Sequence, residues 1–147
     1  MIYVGERHDR YADHLAQLSI IEAVHRRAPA LAIGLEQFQT PFQPALDDYV
    51  AGKIGIDALL ERSEYFTRWR FDPRLYLPIL EFARENAVPM VALNAPTETT
   101  DAVSRQGLDA VTGALGEVEP APPAYRERLR AVFEEHVVRG AGSGDFE

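Results

Sequence analysis

No cysteine occurs among the 147 residues, which excludes a disulfide scaffold, a Cys-ligated zinc or iron–sulfur site, a thiol nucleophile and a lipid-bearing N-terminal Cys. Lysine is nearly absent too: Lys53 is the only one, and every other cation is Arg. Lys and Arg together number 15 against 23 Asp and Glu, a formal net charge of −8. A duplex-coating protein carries the opposite sign, because phosphate neutralisation supplies its non-specific affinity, so nucleic acid is not an expected partner. Nor does any window approach the roughly eighteen apolar residues of a membrane span. The opening stretch, Met1 to Asp9, lacks the basic segment and apolar run of an export signal. As written, the chain reads as cytoplasmic.

What is present fits one globular domain. Hydrophobic residues make up 46% and charged residues 26%, and a chain of this size buries roughly 68% of its unfolded surface. A single domain over residues 1–139 and a flexible Gly-Ala-Gly-Ser-Gly tail within residues 140–147 are expected. Ile2 to Val4 reads as a short strand running into the polar loop Gly5-Glu6-Arg7-His8-Asp9. From Asp13, a candidate cap, Leu15, Leu18, Ile21, Val24 and Ala28 recur at helical spacing up to Pro29. The unbroken run Leu31 to Leu35 is the pattern of a parallel strand covered on both faces, and it ends at Glu36. Pro89 to Asn94 reads the same way. Between these two strands, residues 41–86 predict a helical insertion: Pro41 to Gly52, Ile56 to Ser63, and a helix opened by Asp72-Pro73. Thr97 to Leu115 and Tyr125 to Arg139 are further helices. The order predicts an α/β protein, a parallel sheet of three strands with flanking helices, and the insertion over the carboxyl ends of the strands.

Ligands in open parallel sheets bind at those carboxyl ends, and each expected strand ends in a residue suited to a site: Glu6 and His8, then Glu36, then Asn94. Glu6 and His8 are two apart, on one side of an extended segment, so they can bind a metal or pair a carboxylate base with an imidazole. Each acidic residue alone is equally a helix cap; two carboxylates brought together must be paired, protonated or coordinated. His14, in the first helix, can face the same pocket, whereas His25 reads as a core histidine and His136 as a surface one at a helix end. The run Tyr65, Phe66, Trp69, Phe71 and Tyr76 is first a hydrophobic cluster, and alternatively the wall of a flat apolar ligand with a Tyr oxygen on iron.

Gly5-Glu6-Arg7-His8 with His14, Leu35-Glu36-Gln37-Phe38, the segment from Trp69 through Phe71-Asp72, Tyr76 and Pro78 to Arg84, and Ala92-Leu93-Asn94-Ala95-Pro96 together resemble the ChaN-like haem-binding proteins. These are similar to the erythromycin esterase, TraB and Tiki group. The resemblance implies an α/β fold and a pocket that binds haem or iron, with iron-uptake, lipoprotein and cell-envelope associations. It places Glu6, His8, His14, Glu36 and Asn94 in the cleft, with Trp69 and Tyr76 in the matching helix motif, and His8 or Tyr76 as the iron ligand. The related esterases and peptidases imply an alternative, a metal-assisted hydrolase in which Glu6, His8 and Glu36 are catalytic and a divalent metal is the cofactor. Thr97 stands where the family often has Arg, which weakens an anion-binding role for that loop. The family pattern also continues beyond the motifs seen here, so a truncated, inactive domain is a third expectation, and an open sheet edge invites a homodimer.

Overall fold

The computed structural model describes residues 1–107, 111 and 121–138. The chain divides into two compact units, Met1–Pro96 and Thr97–Glu147. In the first, the helix α1 (Tyr11–His25) precedes a strand β1 (Ile33–Gln39), and four helices follow: α2 (Gln43–Val50), α3 (Ile56–Arg62), α4 (Tyr65–Arg68) and α5 (Leu77–Glu85). Short 3-10 turns at Thr40–Phe42 and Pro73–Leu75 link them, and β2 (Met90–Asn94) closes the unit. The second unit contains α6 (Thr97–Gln106) and α7 (Pro123–Val138). The expected flexible tail, the helical stretch past Gly107 and the side chain of His136 lie outside the described residues. Among the described residues, no helix is long and apolar enough to cross a membrane.

The α/β character and the parallel pairing are as expected, but among the described residues the sheet has two strands, β1 and β2, rather than three. Ile33, Gly34 and Leu35 pair with Met90, Val91 and Ala92, and an irregularity then brings Gln39 opposite Asn94. Ile2 to Val4 is not a strand, and Ile2 and Tyr3 are exposed. Side chains of α1 serve its polar backbone instead of a ladder. Gln17 Nε2 donates to the Val4 carbonyl at 3.0 Å, and Asp13 Oδ2 accepts from the Arg7 N–H at 3.2 Å. Helix α1 accordingly starts at Tyr11, and Asp13 bonds the loop rather than acting as its N-cap.

The core lies on one face of the sheet. Ile33, Leu35, Met90 and Ala92 point into it and meet Leu46 and Tyr49 of α2, Leu59 of α3 and Ile79 and Leu80 of α5. On the opposite face Val91 and Leu93 are exposed, so among the described residues of this unit the strands are not covered on both sides. There Leu93 lies over Gly34, where a Cβ would come within 2.7 Å of its Cδ1. The free edge of β2 is occupied by one side chain: Gln43 Nε2 donates to the Met90 carbonyl and Gln43 Oε1 accepts from the Ala92 N–H, both at 2.8 Å. A single amide so reproduces the two hydrogen bonds of a neighbouring strand. The insertion follows its local signals: Pro44 in the first turn of α2, Gly52 at φ 71° beyond its end, and Asp72 accepting from the Arg74 N–H at 2.9 Å. Asp72 caps the 3-10 turn, and α5 starts after Tyr76.

Candidate functional site

The loop Gly5–Asp9 passes the carboxyl-terminal half of β1 and brings Glu6, His8 and Glu36 together, with one donor atom from each lying within 4.8 Å of the others. His8 Nδ1 is 2.6 Å from Glu6 Oε1 and 3.7 Å from Glu36 Oε1. The two carboxylates differ in environment: the side chain of Glu6 is 4% exposed and that of Glu36 is 56% exposed. Glu6 Oε2 is buried without a hydrogen-bond partner, although His14 Nε2 stands 3.8 Å away. An ionised oxygen in that position requires a counter-charge or a ligand. It is the one acceptor of the cluster that is both buried and unpaired.

Aromatic rings fix the imidazole. His8 meets Trp69 edge-on with centroids 4.6 Å apart and Phe71 at 4.8 Å. Its side chain remains 38% exposed, so the ring is held on two sides and open on another. The expected aromatic cluster therefore divides: Tyr65 and Tyr76 are buried, Trp69 and Phe71 are partly buried beside His8, and Phe66 is exposed.

His14 and Tyr76 lie deeper, each 2% exposed. Both are directed at the backbone of His8: His14 Nε2 and the Tyr76 hydroxyl each donate to its carbonyl at 3.3 Å. Their rings stack edge to face with centroids 4.4 Å apart. The Tyr76 oxygen also accepts from Trp69 Nε1 at 3.2 Å and hydrogen-bonds the buried Gln37 side chain. Burial, reinforced by the nearby charges of Glu6 and Glu36 and opposed by the Trp69 and Gln37 hydrogen bonds, pushes the Tyr76 phenol up to about 12. Asn94 closes β2 opposite Gln39 and is partly buried. His25 is partly buried, with its ring edge-on to Phe82.

Gln17 and Gln37 carry no signature of a site residue in the sequence. The first bonds the loop and the second bonds Tyr76. The available signals were Gln17 one helical turn after His14 and Gln37 next to Glu36 on the strand.

This geometry coincides with a family match. The family model of haem-binding uptake proteins, Tiki superfamily, ChaN, matches residues 1–147. The chain belongs to this ChaN family. No curated protein and no solved structure matches it. Of the residues carrying the ChaN resemblance, Glu36 is exposed, His8, Trp69 and Phe71 are partly exposed around the cluster, the Glu6 side chain is buried beside His8, and His14 and Tyr76 are buried against the His8 carbonyl.

Proposed function

We propose that this ChaN-family chain binds haem, with His8 Nε2 as the axial ligand and Trp69 and Phe71 as apolar contacts for the macrocycle. The observation that supports this most is the pinned imidazole. With Nδ1 turned to Glu6 at 2.6 Å, an Nδ1–H donates to the carboxylate and leaves the Nε2 lone pair to coordinate. A carboxylate behind a ligating histidine orients the ring and raises its basicity. When bound, haem would supply an iron centre and a flat apolar face. Iron uptake or haem handling is the corresponding physiological role. Hemin titration followed at the Soret band, with His8→Ala as control, tests the assignment.

A second reading rests on the orphaned Glu6 Oε2. A divalent cation held by Glu6, His8 Nδ1 and Glu36 would satisfy it and would supply Lewis acidity for a metal-assisted esterase or peptidase. In that reading Glu36, the exposed carboxylate, is the group able to exchange between cation and proton. The readings use opposite nitrogens of one ring. Coordination through Nδ1 leaves the proton on Nε2, whereas haem ligation requires it on Nδ1.

A further inference from the structure

We infer that His14 and Tyr76 are positioning residues that hold His8 through its backbone carbonyl. This inference assumes, as proposed above, that His8 is the ligating residue. Among the described residues the segment Val4–His8 pairs with no strand, yet it carries the residues that must be held still. Two buried donors from separate elements, His14 on α1 and Tyr76 ahead of α5, converge on the single His8 carbonyl, each at 3.3 Å. A carbonyl has two lone pairs, so this pair of donors saturates it. The support then returns to the side chain of the same residue, because the Tyr76 oxygen accepts from Trp69 Nε1 at 3.2 Å and the Trp69 ring meets the His8 imidazole at 4.6 Å. His8 is thus held at both ends, by its carbonyl and by its ring, through the hydroxyl of Tyr76.

The same contacts argue against either residue as a ligand. The Tyr76 hydroxyl already donates once and accepts from Trp69, in a place where the ring is 2% exposed. His14 Nε2 is turned to the His8 carbonyl. Gln17 in turn donates to the Val4 carbonyl at 3.0 Å, so its amide orientation is set by the loop it secures. Asp13, His14 and Gln17 thereby place three consecutive holds from one helix on Val4, Arg7 and His8. A ligand role would require these bonds to break; a positioning role uses all of them.

The test is Tyr76→Phe, which deletes the hydroxyl and keeps the ring, with His14→Gln as the second variant. In the ligand-free protein, imidazole carbon relaxation and amide exchange should show His8 and residues 6–8 loosened, with exchange faster by about fivefold for one lost hydrogen bond, while α2 and α3 are unchanged. With hemin, Tyr76→Phe should bind about fivefold more weakly and keep the wild-type axial-ligand spectrum. Unchanged His8 mobility in both variants overturns the inference, as does loss of a tyrosinate-to-iron band in Tyr76→Phe. If the wild-type chain binds no hemin, the haem assignment fails, and the ligand-free measurements still decide whether these residues position His8.

Discussion

Glu6 Oε1 and His8 Nδ1 stand 2.6 Å apart, the spacing of a charge-assisted hydrogen bond, with the carboxylate side chain almost wholly buried. Glu6→Gln keeps the shape and removes the charge that favours the Nδ1–H form. Hemin affinity should fall by about tenfold or more, the usual cost of losing such a partner behind a ligand. Long-range nitrogen–proton spectra of the imidazole should show the Nδ1–H fraction reduced. Unchanged tautomer and affinity would separate Glu6 from the site.

Zinc and hemin should compete. Both claim His8, on opposite nitrogens, and the ring carries only one lone pair when neutral. Adding zinc is expected to raise the apparent hemin Kd in proportion to zinc concentration, and Glu36→Ala should relieve the effect, because Glu36 is the exposed third donor of the cluster. Simultaneous binding without mutual weakening would place the cation elsewhere.

The helical stretches of residues 41–86 were legible in the sequence because their signals act over a few residues: Gly52 and the Asp72-Pro73 turn each determine their own neighbourhood, whereas Pro41, read as the start of a helix, opens a 3-10 turn and α2 begins at Gln43. Ile2 to Val4 misled because strand formation needs a distant edge, and the local apolar pattern is silent about whether one exists. Here Asp13 and Gln17 bond that segment instead. Likewise, an apolar run such as Met90 to Leu93 shows that burial is available on two faces, while Val91 and Leu93 are exposed. Glu6, His8 and Glu36 were readable as one cluster because each comes directly after an apolar, strand-like run in the sequence, although the strand expected to end at Glu36 continues to Gln39. That His14 and Tyr76 face the His8 carbonyl depends on depth and rotamer, which spacing in the sequence does not encode.

Burial raises the phenols of Tyr76, to about 12, and of Tyr49 and Tyr65. In the unfolded chain these groups lose their protons near the ordinary value of 10.0 while the fold retains them, so the unfolded state binds fewer protons above that pH. Stability is therefore fully present below pH 10 and falls as pH rises from 10 towards 12. Urea midpoints across this range should show the decline, with a shallower slope in Tyr76→Phe. A flat profile would contradict the burial of these hydroxyls.

Tyr65 is 1% exposed, and its hydroxyl is buried without a hydrogen-bond partner. Its ring packs at 5.9 Å from Phe38 and 5.7 Å from Phe66. Tyr65→Phe keeps these contacts and removes the unpaired group, so it should stabilise the fold by about 1 kcal/mol, read as an increased denaturation midpoint. A loss of stability would mean that the hydroxyl has a partner.

The central claim is that His8 presents Nε2 to haem iron, and a hemin titration of the wild-type chain beside His8→Ala and Tyr76→Phe tests it most directly. The account predicts a Soret shift complete near one equivalent, an imidazole-type axial spectrum lost in His8→Ala and that same spectrum retained in Tyr76→Phe. No shift at stoichiometric hemin, or a spectrum indifferent to His8→Ala, would contradict it.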